Sequence, residues 1–202
     1  MFGLPTSTEC KKQLPKKAIF VKFDLKPSQR DAFDADIARI DIVGVVSAAT
    51  VPALGEGQQT KEFYVLAVQM KHKDYDPKNI ILLTRLIHQK MVFALQYDGQ
   101  IQFAVYHTRL VSSEWKPAEN ASLTLEGINT DTVWENIVKS IGQIDVEEGN
   151  TLAEQIETNQ QRTKLLAQIE TLERKMANEK QPRRKREYFE QIKKLKKKYE
   201  SS

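Results

Sequence analysis

The chain holds a single cysteine, Cys10, among its 202 residues. One thiol can form neither an intrachain disulfide nor a cysteine-based zinc site, so Cys10 reads as a bystander. Long apolar runs are missing too: nothing approaches the roughly 18 consecutive apolar residues that span a bilayer. The opening Met-Phe-Gly-Leu-Pro leads to Lys11 and Lys12 with no apolar segment behind it, unlike a secretory signal. A cytoplasmic protein without membrane association is therefore expected. The chain also lacks a glycine-rich phosphate loop, a G-x-S-x-G elbow and any pair of histidines at metal-ligand spacing. His72, His88 and His107 are scattered, and each reads as a polar surface residue. No self-similar period marks a repeat array.

What the sequence does have is unevenly placed charge. The net charge is +4, from 31 Lys and Arg against 27 Asp and Glu. From Thr151 to Ser202 there are 14 basic and 8 acidic residues, so the first 150 residues are left slightly acidic. Such asymmetry suggests a basic tail that meets something acidic while the rest does separate work. A solvated helix exterior would have the same composition.

The pattern of elements predicts an α+β domain over residues 1–148, a mixed sheet of four or five strands with packed helices, followed by a basic antiparallel helical hairpin over 149–202. Met1 to Pro15 reads as an arm, with Pro15 opening a short helix that holds Ala18, Ile19 and Phe20. Ser28 caps a second helix carrying Phe33, Ile37 and Ile40 on one face. The β-branched run Ile42 to Val46 follows, with Gly44 as a site for a bulge. Glu62 to Lys71 alternates with both faces largely apolar, as a central strand does. Asp76 and Pro77 start a helix bearing Ile80, Ile81, Leu83, Leu86 and Ile87. Asp98-Gly99 marks a hairpin between Met91 and Thr108, with Gln96, Gln100 and Gln102 facing solvent near its turn. A short strand near Leu123 to Leu125 precedes a helix capped by Asn129 or Thr130 and stopped by Gly142.

Spacing is most informative in the tail. Leu165, Ile169, Leu172 and Met176 recur at intervals of 4, 3 and 4, and so do Tyr188, Ile192, Leu195 and Tyr199. The phase breaks between the two sets, with Pro182 in the gap, so two helices are implied. Folded back on one another, they close a seam that is symmetric about Pro182. Leu152, Ile156 and Leu166 fall outside that seam and would serve packing elsewhere or oligomerisation. Outside the seam Arg183, Arg184, Lys185 and Arg186, with Lys193, Lys194, Lys196, Lys197 and Lys198, form a nearly all-positive exterior. It could be a solubilising surface, a contact for nucleic-acid phosphates or a contact for an acidic protein. With Tyr188 and Tyr199 used in the seam, no aromatic is expected on this exterior, which argues against base stacking.

One constellation points to chemistry. Asp41 heads a strand, and Gln69-Met70-Lys71 ends the next, with Gln69 and Lys71 on one face. The pattern resembles that of restriction-endonuclease-like nucleases, in which a carboxylate and a Glu or Gln hold Mg²⁺ while Lys polarises the attacking water. Only Asp41 is a carboxylate here; Glu9, in the arm, is a candidate for a second. Mg²⁺ is the one cofactor implied, and only on this alternative.

Several segments carry a wider resemblance: Phe2-Gly3-Leu4-Pro5 with Thr8-Glu9, Leu14-Pro15-Lys16, Gln69-Met70-Lys71, and Glu179-Lys180-Gln181-Pro182-Arg183-Arg184-Lys185. Together the chain resembles bacterial domain-of-unknown-function family 4391 over nearly its whole length. The resemblance implies an accessory role in restriction-like phage-defence loci, on DNA or on a helicase or methyltransferase complex that acts on it. It assigns no functional residues. The expected function is thus a non-enzymatic adaptor, with a divergent Mg²⁺-dependent nuclease and a structural oligomerisation module as alternatives.

Overall fold

The computed structural model describes residues 1–86 and 89–200. Ile87, expected on a helix, and His88, read as a surface residue, lie outside the described residues. The chain divides into two compact units, Met1–Ile144 and Asp145–Ser202.

The first unit is built on a mixed sheet. Its strands are β1 (Glu9–Gln13), β2 (Ile37–Ser47), β3 (Glu62–Met70), β4 (Lys90–Tyr97), β5 (Gln100–Tyr106), β6 (Leu110–Ser112) and β7 (Lys116–Pro117). They lie in sequence order from β1 to β6, with β7 also paired to β5. All pairings are antiparallel except β3 with β4, whose parallel alignment requires the crossover through α3 (Pro77–Thr84). The helices α1 (Lys16–Lys22), α2 (Pro27–Asp36) and α3 share a core with one sheet face, from Ile19, Phe33 and Ile80 to Leu66, Phe93 and Leu95. Helix α4 (Thr130–Gly142) packs against β5 and β6, and its Trp134 meets Phe63 of β3.

Among the described residues seven strands form where four or five were expected. The N-terminal arm is ordered as edge strand β1, because its backbone pairs with β2 from Glu9↔Gly44 to Gln13↔Asp41. Its side chains are mostly polar and exposed, so it shows no apolar alternation. β6 and β7 are short and share β5 as their partner. Conversely, Leu123 to Leu125 is not a strand, although Leu123 is buried and its N–H donates to the Phe2 carbonyl.

The second helix ends earlier than its spacing implied. Lys26 rather than Ser28 is its N-cap, Pro27 is its first residue, and the chain turns to strand after Asp36. Ile37 and Ile40 belong to β2. A register shift between Ile37 and Arg39 lets both isoleucines reach the same core, so a bulged strand imitates a helical spacing of three. Gly44 sits at a second shift, in line with the bulge expected there.

Elsewhere local chemistry and structure agree. Asp76 accepts a hydrogen bond from the Lys78 N–H (2.9 Å) with Pro77 in the first turn of α3. Asp98 and Gly99 both have positive φ, 45° and 68°, as a two-residue hairpin turn of this hand requires. Gln96, Gln100 and Gln102 are half-buried rather than solvent-facing. Gln102 accepts from the Tyr75 hydroxyl (2.9 Å) and Gln100 from Lys73 (2.6 Å), so a loop from the α3 side covers them. Asn129 caps α4 through the Thr132 N–H (2.9 Å). The left-handed residue at its end is Gln143 (φ 48°), not Gly142. Gly142 is needed for closeness: a Cβ there would stand 2.7 Å from Val111 and 2.6 Å from Ile144.

In the second unit α5 (Leu152–Asn178) opens with a capping box, in which Thr151 and Glu154 each bond the other's backbone N–H. The helix stops before Pro182, which begins α6 (Pro182–Glu200), and the two helices pack together. Leu165, Ile169 and Ile192 are buried; Leu172, Met176, Tyr188, Leu195 and Tyr199 are half-buried. Every seam residue implied by the spacing is thus withdrawn from solvent. Leu152 and Ile156 are buried as well, whereas Leu166 is 44 % exposed.

Candidate functional site

Two places bring candidate residues together, one in each unit. In the first, antiparallel pairing sets Arg39 opposite Gln69 and Asp41 opposite Ala67. Opposed residues point to the same side, and Asp41 and Gln69 are diagonal neighbours, with Cα atoms roughly 7–8 Å apart. The two side chains share a face as the nuclease-like pattern needs, but Asp41 lies inside β2 rather than at its head, because the strand starts at Ile37 directly after α2. The Gln69 amide reaches across to the Gln96 carbonyl (3.3 Å) on β4. A cavity of about 550 Å³ opens on this patch, lined by Glu9, Gln13, Arg39, Asp41 and Gln96. Glu9, in edge strand β1 rather than a loose arm, therefore faces the same space as Asp41.

The charges in this patch are already engaged. Arg39 donates to both carboxylate oxygens of Asp41, at 2.7 and 2.9 Å, a bidentate pair. Glu9 is met by the N-terminal ammonium at 3.2 Å. Lys71 lies just past the end of β3, and its ammonium donates to the Asp34 carbonyl near the end of α2. Among the described residues no three His, Cys, Asp or Glu side chains are grouped to hold a metal ion. A Mg²⁺ at this patch would take the Asp41 carboxylate and the Gln69 amide oxygen, with the remaining positions left to substrate and water oxygens.

His72 is a partly exposed polar residue, as read, with its Nε2 3.3 Å from a carboxylate oxygen of buried Asp36, whereas His107 departs from the surface reading. His107 is half-buried, and burial pushes its pKa down, as does nearby Lys90; Glu135 acts the other way. Lys90 is likewise lowered by burial, against the pull of Asp131 and Glu135. Its ammonium bonds Thr60 (2.6 Å) and lies 5.3 Å from the centre of the Trp134 ring.

Asp131, at the start of α4, organises the adjoining loop. Its carboxylate accepts from the backbone N–H groups of Gln58 (2.6 Å), Gln59 (3.1 Å) and Thr60 (2.6 Å), while Thr130 accepts from Gly57 and donates to Thr60. Desolvation alone would raise the Asp131 pKa, but the hydrogen bonds from Gln59, Thr60 and Gln58 outweigh it and hold the group below its ordinary value. A depressed carboxyl contributes stability in full above its unfolded pKa, about 3.9, and loses it as pH falls through the lower folded value. Asp131→Asn is thus expected to lower stability at neutral pH and to flatten part of the loss below pH ~4. Urea titrations across that range test this, and an unchanged pH profile would contradict it.

The second place is the exterior of α6. Among the described residues no acidic side chain lies within 4.0 Å of Arg184, Lys185, Arg186, Lys193, Lys194 or Lys197. Arg183 pairs with Glu187 one turn on (3.5 Å), and Lys196 reaches Glu173 on α5 (2.9 Å). Lys198 also lies on this helix, its side chain exposed. Contrary to expectation, the exterior carries an aromatic: Phe189 is 54 % exposed. Its place beside the seam residue Tyr188 puts it outside the heptad phase, a signal present in the spacing itself.

Both the sheet-bearing unit and the helical pair fall within one family. The model for the domain of unknown function DUF4391 matches residues 2–198, and the chain belongs to that family. No curated protein and no solved structure matches the chain. Among the described residues no helix is long and apolar enough to cross a membrane.

Proposed function

We propose that the protein is a non-enzymatic accessory of a DNA-directed bacterial defence or modification assembly, and that the exterior of α6 holds nucleic-acid phosphates. The observation that carries this is the density of basic side chains on one short helix, most of them with no acidic side chain in pairing distance among the described residues. An exposed ammonium gains little from isolated surface pairs, whereas several cations along a polyanion release condensed counterions together. A role as adaptor to a DNA-acting helicase or methyltransferase complex is compatible with such an arm. Changing Lys193, Lys194, Lys196 and Lys197 to Gln is expected to weaken DNA binding uniformly across unrelated sequences. The log-log salt slope should become shallower by about 0.9 for each phosphate no longer neutralised. Unchanged affinity would return α6 to a solvated surface. Lost binding to an acidic protein, with no DNA binding by the wild type, would identify a protein partner instead.

A second function, divergent Mg²⁺-dependent nuclease, draws support from the same-face placement of Asp41 and Gln69 and from a cavity that Asp41 lines together with Glu9. It requires Arg39 to release Asp41, and Lys71 to leave the Asp34 carbonyl. Mg²⁺-dependent cleavage of DNA that Asp41→Ala abolishes is the expected result on this alternative. Equal activity in the variant, or none in the wild type, would dismiss it.

A further inference from the structure

Phe189 is the only large apolar side chain exposed on α6 among the described residues, and it has no part in the hairpin seam. At 3.6 residues per turn its neighbours on the helix surface are Lys185 and Arg186 on one side and Lys193 on the other, with Lys196 on the same face two turns on. The ring therefore sits in the middle of a row of cations. Beside it a groove of about 730 Å³ runs along α6, walled mainly by lysines (Lys193, Lys194, Lys196 and Lys197), with Glu190 and Glu200 also on its lining. A single exposed phenylalanine needs no explanation by itself. Its position between basic residues, along a groove, matches the two elements that single-strand binders combine: cations that track the backbone and a ring on which a base can stack.

We infer that α6 prefers single-stranded nucleic acid, with a base stacked on Phe189 and the flanking phosphates held by Lys185, Arg186 and Lys193; this rests on the phosphate-contact function proposed above. The choice of strand follows from geometry. In a duplex the base faces are hidden in the stack, and a ring on the outside of a helix meets only sugar and phosphate. A single strand presents its π-faces freely. An acidic protein segment would satisfy the cations but presents a planar face only where it carries an aromatic side chain, whereas every nucleotide carries one.

Fluorescence anisotropy on the full chain separates the contributions, with three probes: an oligothymidylate, an abasic deoxyribose-phosphate strand of equal length, and a duplex. Phe189→Ala is expected to weaken oligothymidylate binding by roughly tenfold, in line with the loss of one stacked base, and to leave the abasic strand and duplex within about twofold. Phe189→Trp should keep the preference. Because Phe189 is exposed and alanine is the better helix former, the alanine variant should retain its helix, which circular dichroism checks. Should Phe189→Ala leave oligothymidylate binding unchanged while the four-lysine variant loses all three probes, stacking is overturned and the phosphate contact stands. If the wild type binds none of the three, both fall.

Discussion

Replacing Trp134 with alanine is expected to destabilise the Met1–Ile144 unit by about 3–5 kcal/mol, the range for emptying a large aromatic site in a packed core. Trp134 is 0 % exposed and lies against Phe63 with ring centroids 5.6 Å apart. It is also the apolar floor beneath the half-buried Lys90 ammonium, so its loss would remove a cation–π interaction along with packing. The indole N–H has no hydrogen-bond partner among the described residues. A buried unpaired donor is itself costly, so Trp134→Phe discards a liability with the lost volume. The phenylalanine variant should therefore lose clearly less than the alanine variant in urea unfolding. Equal losses would mean that the N–H is satisfied, or that the site does not depend on volume.

Asp36→Ala should be nearly as damaging, at about 2–4 kcal/mol, from two donors left without their acceptor. The Asp36 carboxylate is the junction where α2, β2 and α3 meet. One oxygen accepts from the Asp76 N–H (2.8 Å) and from the Asn79 amide (2.7 Å), and the other faces His72 at 3.3 Å. Asn79 is itself buried and cannot turn to water when the carboxylate is gone. Asp36→Asn keeps one acceptor oxygen and should recover part of the loss. If both variants unfold at the wild-type urea concentration, the junction is not structural.

Features decided within a few residues are legible in the sequence. Asp76-Pro77, Asp98-Gly99 and Asn129 each carry their own backbone chemistry, and each stands where local rules place it. The hairpin seam is legible because two heptad patterns break phase at Pro182, and no other partner is needed to explain them. Features set by partners distant in sequence are not. β1 exists because β2 offers it hydrogen bonds, not because Glu9 to Gln13 prefer to be extended. Ile37 and Ile40 mimic a helix face because a bulge, invisible without the opposing strand, reproduces a helical interval.

The candidate sites divide the same way. Alternation within β3 is readable in advance, but that Asp41 shares a face with Gln69 follows from the antiparallel pairing of β2 with β3, which no local pattern announces. The engagement of Asp41 by Arg39 and of Lys71 by the Asp34 carbonyl depends on side-chain conformation and on the end of α2. Glu9 enters the same cavity only through an edge strand that its own residues do not announce. The basic exterior of α6 is plain from composition. Phe189 lies one residue from a seam tyrosine, and only the phase of the heptad separates the buried ring from the exposed one.

The dependence of duplex DNA affinity on salt, measured with the unmodified chain on two unrelated sequences, bears most directly on the assignment of α6 as a phosphate contact. Arg186, Lys193 and Lys197 fall on one side of the helix, so at least three phosphates should be engaged at once. The predicted result is binding to both sequences with equal affinity and a log-log slope of about −2.7 or steeper. Absence of binding at about 50 mM salt, or a slope near zero, would contradict the assignment.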